Sequence, residues 1–257
     1  MANEGRFSGK VALITGAAAG MGRAIAQRLA SEGATVVGAD LDAGGLKETA
    51  ESISGAGGAG AGAFEPVELD VSDPSACRRV VDEAAASHGR LDVLGNIAGI
   101  SRAEHVTDVT EERYRQMMAV NVDGCFFLAQ AAIPRLLETD GSLINIASNA
   151  GLMGQAYTVV YCMTKGAIVQ MTKALAMEYM KTGLRVNAIA PAGTMTRMTA
   201  SFEIPRDVDP ELMGRYSGFR GMNDASEVAA LFAFLASDEC EGIHGAIVSA
   251  DRGVTAG

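Results

Sequence analysis

The chain has 257 residues, 48% of them hydrophobic, and carries 31 acidic against 21 basic side chains for a net charge of -10. A chain of that size and apolar content buries one large core, and α/β folds of this length are commonly one domain, so residues 1–257 are read as a single unit. The acidic balance, with no basic run to offset it, opposes nucleic-acid phosphates and anionic membrane surfaces and favours a small-molecule partner.

The start, residues 1–10, is polar without an apolar signal core, and no stretch approaches the roughly 20 apolar residues of a membrane span. A cytoplasmic protein is expected. Short aliphatic runs at 11–14, 35–39, 64–69, 91–97, 143–147, 184–190 and 246–250 read as strands buried on both faces. Helical periodicity fills the intervals 21–31, 43–53, 74–88, 111–138, 158–181 and 226–236. Such alternation implies right-handed parallel crossovers, hence a Rossmann-like, doubly wound α/β sheet of about seven strands with helices on both faces. Pro74 after Asp73 fits a helix start, and Gly183 fits the position just past a helix end. Residues 54–63, almost entirely Gly and Ala, read as a flexible surface connection. Cys77, Cys125, Cys162 and Cys240 match no metal or disulfide spacing, and His88, His105 and His244 are as scattered, so reduced thiols and no catalytic metal are expected.

After the first strand comes Thr15-Gly16-Ala17-Ala18-Ala19-Gly20-Met21-Gly22, then a helix. Glycines at Gly16, Gly20 and Gly22 let the backbone turn tightly and approach a pyrophosphate, whose charge is met by helix N-terminal amides; a plain strand-to-helix turn is the other reading. Asp40 follows about 20 residues on, where a carboxylate accepts hydrogen bonds from adenosine ribose hydroxyls and repels a 2′-phosphate. The alternative is that Asp40 caps the following helix. Leu41 comes next, and Ala17 and Ala18 stand where a phosphate-binding cation would be. NAD is predicted over NADP.

Tyr161 and Lys165 are four apart, on one helix face. A free tyrosine has a pKa of about 10, so acid–base work near neutrality needs a drop of roughly three units, about 4 kcal/mol. One ammonium about 4 Å away supplies about that much at an effective dielectric near 20. The spacing alone is also common on ordinary helix surfaces.

The ordered set Thr15 to Gly22, Asp70-Val71, Asn96-Ile97-Ala98-Gly99, Asn121, Ser148, Tyr161 with Lys165, and Pro191 to Thr196 resembles the short-chain dehydrogenase/reductase family, in its branch of about 250 residues. The resemblance implies that Asp70 and Val71 contact the adenine and that Asn96, Ala98 and Gly99 run along the cofactor. It implies that Tyr161 is the proton donor and acceptor, that Ser148 bonds the same substrate oxygen, and that Lys165 both eases Tyr161 ionisation and holds the nicotinamide ribose. Asn121 would hold a water linking Lys165 to solvent. Thr194 and Thr196 would hold the carboxamide. Two departures stand out: Ile97 replaces an Asn, and Ala192 replaces a Gly, so that Gly193 would take any turn that needs positive φ.

Residues 191–223 lose periodicity after Met195 and read as a substrate-binding lid. Met195, Met198 and Phe202, with Leu152, Met153 and Tyr157, are the candidate pocket walls, and their apolar character points to an apolar or cyclic substrate; packing of the lid is the alternative reading. The implied activity is NAD-dependent interconversion of a secondary alcohol and a ketone. A 3-oxoacyl thioester reductase, a catalytically silent NAD-sensing protein and a nucleotide-sugar epimerase are the other readings. The helices 111–138 and 158–181 carry surplus apolar residues, and the resemblance implies that they pair across a two-fold axis, so a homotetramer is expected.

Overall fold

The structure, a computed structural model, describes residues 5–56, 61–196, 199, 203–216 and 218–256. Seven strands, β1 (Val11–Thr15), β2 (Thr35–Asp40), β3 (Ala63–Glu68), β4 (Val93–Asn96), β5 (Ser142–Ile146), β6 (Arg185–Pro191) and β7 (Ile247–Ala250), form one sheet in the order β3-β2-β1-β4-β5-β6-β7. Every pairing is parallel. The helices are α1 (Gly20–Ser31), α2 (Ala43–Ala56), α3 (Pro74–His88), α4 (Glu111–Met118), α5 (Gly124–Leu137), α6 (Val159–Glu178), α7 (Pro210–Gly214) and α8 (Ala225–Ala236).

Successive strand residues point to opposite faces, so an unbroken apolar strand feeds two cores. Ile14 and Ile144 join Ile25, Leu29 and Phe232 of α1 and α8 on one side. Leu13, Leu94 and Leu143 join Val81, Leu128 and Leu136 of α3 and α5 on the other. The strand order reverses between β1 and β4, which leaves a crevice beyond their carboxyl ends where ligands of such sheets bind.

Local details depart from the sequence reading in physically explicable ways. β3 is the sheet edge and is largely exposed, unlike the doubly buried strand expected there; Pro66, which has no N–H to donate, is tolerated at an edge. The expected single helix over 111–138 is interrupted by a π-helical turn at Ala119–Asp123. Although Glu111–Leu137 has the length and hydropathy to cross a membrane, α5 spends Leu128, Ala132 and Leu136 in the core. Helix α6 stops at Glu178, so Gly183 is no helix terminator; a Cβ there would lie 2.0 Å from Asp140 Oδ1. Of the Gly/Ala-rich segment, residues 54–56 belong to α2 and residues 57–60 lie outside the described residues. Pro74 does open α3, with the Asp73 carboxylate accepting from Ser75 N.

One buried cation ties the sheet to α8. Arg185, 9% exposed, donates to the carbonyls of Leu235 at 2.6 Å, Ala236 at 3.2 Å and Ser237 at 3.0 Å. These are the acceptors a helix leaves unpaired at its C-terminus, where the dipole also favours positive charge. Replacement by Met strands those carbonyls, and Arg185→Met is expected to cost about 3 kcal/mol, read as a loss of roughly 6–12 °C in Tm.

At the N-terminus the Glu32 carboxylate accepts from Arg6 at 2.7 and 2.9 Å and also from Arg28. Burial pushes its pKa up, but the two guanidinium groups outweigh that and hold it below the ordinary value. A depressed carboxyl stabilises the fold above its unfolded pKa and loses that contribution as pH falls through the folded one. Denaturant titrations should therefore show Glu32→Gln weaker by about 1 kcal/mol at pH 7, with the gap to wild type closing between about pH 5 and pH 3.

Candidate active site

A cleft of about 390 Å³ opens at the carboxyl ends of β4, β5 and β6, with Ser148, Tyr161, Lys165 and Gly99 in its wall. Ser148 follows β5 directly; its Oγ accepts from Ala150 N at 3.1 Å and donates to Asn149 Oδ1 at 3.2 Å. Tyr161 and Lys165 stand one turn apart on α6. Lys165 is 5% exposed, and its ammonium donates to the Ile146 carbonyl at 2.7 Å and lies 5.8 Å from the Tyr161 ring centroid. A buried ammonium needs such a partner, because losing water without one is costly.

Asn121 sits on the π turn, the kind of local bulge often found at functional positions. Its Oδ1 accepts from Ile100 N at 2.8 Å, while its Nδ2 donates to Ile100 O at 2.8 Å and to Thr164 Oγ1 at 3.1 Å. Thus Asn121 clamps the strand-end loop to α6 beside Lys165. A Cβ on Gly99 would come 3.2 Å from Asn121 Oδ1 and 3.8 Å from Lys165 Nζ, so the loop runs against both.

The glycine turn relies on conformations and close approaches that side chains oppose. Gly16 and Gly20 have φ of +71° and +53°, in the left-handed region that favours glycine. A Cβ on Gly22 would lie 2.0 Å from Gly16 O, so α1 packs on the turn only because no side chain intervenes. Ala19 at the head of α1 offers no side-chain cap, which leaves first-turn amides for an anion. Met21 lines the cleft. Thr15, given no separate role in the sequence reading, joins the two strand ends: its Oγ1 donates to Gly95 O at 3.2 Å and accepts from Ile97 N at 3.0 Å and Ala98 N at 3.2 Å.

Asp40 turns its carboxylate to this loop, accepting from Ala18 N at 3.1 Å and Asp42 N at 3.0 Å. The head of α2 is served by Asp42 instead, whose Oδ1 accepts from Gly45 N at 2.9 Å. Leu41 is exposed beside it. Asp70 is exposed and accepts from Ser72 N at 2.9 Å; Val71 packs against Gly124, where a Cβ would lie 3.0 Å from the Val71 Cβ. Asn96 does not line the cleft. It is buried, donates to Cys125 O at 3.2 Å and Asn145 Oδ1 at 2.9 Å, and its Oδ1 has no partner among the described residues. Ile97 replaces polar contacts with packing in the α1/α8 core and one face of the cleft.

Thr194 and Thr196 both line the cleft, and Thr196 reaches over the glycine turn to within 3.0 Å of where a Gly20 Cβ would be. Neither Ala192 nor Gly193 adopts positive φ, so Ala costs nothing there. The base of the lid is closed by Asn223, which donates from its amide to Gly193 O at 2.8 Å, accepts from Met195 N at 2.9 Å and donates from its side chain to Ala250 O at 2.6 Å.

The expected pocket walls are not those observed. Leu152 and Met195 are exposed, and neither they nor Met153 line the cleft. Met198 and Phe202 lie outside the described residues. Tyr157 is not on the face of α6, which begins at Val159; it precedes that helix with φ of +62°. Its hydroxyl accepts from Asp209 N at 2.8 Å and its ring meets His105 edge-on at 5.2 Å, so it ties the lid to the loop before α4. Tyr216 and Met222 of the methionine-rich segment do line the cleft, as do Asn149, Gln155 and Thr158, which sequence reasoning missed. Only Asn149, next to Ser148 in the chain, carried a local signal.

Comparison with known proteins follows this geometry. Residues 16–255 match the sequence family described as enoyl-(acyl carrier protein) reductase. The chain is 38% identical over 251 residues to a meso-2,3-butanediol dehydrogenase of Serratia marcescens, covering 98% of this chain and 96% of that one. Its fold superposes with a TM-score of 0.91 on a short chain dehydrogenase from Mycobacterium paratuberculosis bound to NAD, at 30% identity and covering 98% and 100% of the two chains. A short chain dehydrogenase from Burkholderia cenocepacia in complex with NADP gives a TM-score of 0.85 at 32% identity, with 97% and 99% covered.

Because a Cβ on Gly22 would meet main-chain Gly16 O, Gly22→Ala must push α1 off the turn. Fluorescence titration with NADH should show its Kd raised by at least about 30-fold, about 2 kcal/mol. An unchanged Kd would remove the turn from the cofactor site.

Proposed function

The chain belongs to the short-chain dehydrogenase/reductase family of nicotinamide-dependent oxidoreductases, and on that premise we propose that it uses NAD to interconvert a secondary alcohol and a ketone. The observation that carries this reading is the convergence of Ser148, Tyr161 and Lys165 on one cleft beside the glycine turn.

The cradle fits a dinucleotide: Gly16, Gly20 and Gly22 leave room for a pyrophosphate, Asp40 faces the ribose end, Asp70 and Val71 serve the adenine, and Ala98, Gly99, Thr194 and Thr196 line the approach to the nicotinamide. When bound, the nicotinamide accepts or supplies the hydride. Ser148 Oγ turns from Asn149 to hydrogen-bond the substrate oxygen and stabilise charge developing there. Tyr161 Oη gives a proton to that oxygen in reduction and takes it in oxidation. Lys165, fixed by the Ile146 carbonyl, presents its charge to the phenolic ring and to the ribose side of the cleft. Asn121 holds this end of α6 in place through Thr164, and would hold the water through which the proton is replaced.

Selection of NAD follows from Asp40. Its carboxylate sits on Ala18 N, where a 2′-phosphate would meet a like charge. Arg23, the cation packed against this loop, is committed to the carbonyls of Ala18 and Gly45 and to Glu48. The exposed side chains of Phe126, Met177 and Met180 on and just after α5 and α6 support a homotetramer, and the acidic surface suits a cytoplasmic enzyme.

Tyr161→Phe is expected to lower kcat by at least about 1,000-fold while NADH binding persists. A pure sensor would bind NADH equally and show no turnover in either form. Wild-type kcat/KM should favour NAD over NADP by at least about tenfold, and Asp40→Ser should narrow or invert that ratio. A wild-type preference for NADPH would defeat the cofactor assignment, and light scattering showing a monomer at micromolar concentration would defeat the tetramer.

A further inference from the structure

We propose that the cleft takes a vicinal diol, or the corresponding α-hydroxyketone, and that Asn149 and Gln155 grip the oxygen adjacent to the reacting one. This rests on the dehydrogenase reading above and narrows its substrate.

Asn149 opens the short turn that follows Ser148, and it is 4% exposed. Its Oδ1 is held by two donors, Ser148 Oγ at 3.2 Å and Gln155 Nε2 at 3.1 Å. The Gln155 bond orients both amides and does not depend on the Ser148 proton. Asn149 Nδ2 and Gln155 Oε1 are used by neither bond, and both side chains line the cleft. A ligand that displaces solvent from the cleft must meet both groups, since leaving either unmatched costs about 1–3 kcal/mol. One free donor beside one free acceptor is the complement of a hydroxyl, which both accepts and donates. A carboxylate would require donors only, and an ammonium acceptors only. Flipping the two amides together exchanges donor and acceptor and leaves the pair unchanged.

Position specifies the rest. Asn149 is bonded to Ser148, the residue that holds the reacting oxygen, so a group held by the amide pair lies beside that oxygen and belongs on the neighbouring carbon. Ile97, Met21 and Met222 supply apolar wall for the carbon skeleton. The apolar substrate expected from the methionine-rich lid is therefore replaced by one with a polar edge. In oxidation, the C–H bond of the reacting carbinol breaks and its electron pair passes as hydride to the nicotinamide. The hydroxyl O–H electrons form the new C=O bond as its proton moves to the Tyr161 phenolate. The second hydroxyl stays intact, giving an α-hydroxyketone and the reduced cofactor.

The test compares two matched pairs with NAD: meso-2,3-butanediol against 2-butanol, and cis-1,2-cyclohexanediol against cyclohexanol. In wild type, kcat/KM for at least one diol should exceed that of its mono-alcohol by about 100-fold, because a site built for a hydroxyl rejects the analogue lacking it. Gln155→Leu, or Gln155→Ala if Leu fails to fold by circular dichroism, should lower that ratio at least about tenfold, chiefly through the KM of the diol. Mono-alcohols turned over as well as the diols in both pairs, or a ratio untouched by loss of Gln155, would overturn the inference and leave the dehydrogenase reading standing. No turnover of any of the four, with NAD or NADP, by protein that binds NADH would overturn both.

Discussion

The Lys165 ammonium on the Ile146 carbonyl is the contact from which the active cleft takes its shape. An amine buried to this degree demands an acceptor, and the one it finds is the last residue of β5. Ser148 lies two residues beyond that acceptor, and Tyr161 lies one helical turn before the amine. A single hydrogen bond thus sets the spacing between Ser148 and Tyr161. Gly151 makes the approach possible: a Cβ there would stand 2.6 Å from Lys165 O, so any side chain would lift the turn after Ser148 away from α6.

Around that contact the sheet edge is braced by polar side chains that each bond main chain on a different element. Thr15 joins β1 to the loop after β4, and Asn121 joins the same loop to α6. Asn121 lies against Gly99, where the chain passes close to Lys165. The π turn is the device that brings Asn121 inward, since one added residue per turn rotates the side chain relative to the helix on either side. Asn145 extends the bracing by donating to Thr172 while it accepts from Asn96.

The glycine turn and the outer wall of the cleft are joined through the described residues of the segment after β6. Asn223 closes its base, Thr196 crosses to the glycine turn, and Tyr157 pins its outer part in a backbone conformation that a non-glycine residue adopts only when its surroundings impose it. The same Tyr157 carbonyl accepts from Glu104 N at 2.7 Å, which links the lid to the loop between β4 and α4.

What the sequence by itself determined is whatever short-range spacing controls. Apolar strands separated by helical periods specify a parallel doubly wound sheet, and the glycines of the first turn, Asp40, Ser148 and the Tyr161–Lys165 pair were all readable because each is tied to one strand end or one helix turn. Tertiary structure decided the rest. Pro66 occupies an edge rather than a buried strand because strand order is long-range, and Gly183 serves a contact with Asp140 that no local rule links to it. The pocket walls were misread for the same reason: methionine content says that a segment is adaptable, not which way it faces. Gln155 and Asn149 are six residues apart and meet only because the turn after β5 folds back on α6, a juxtaposition created by packing.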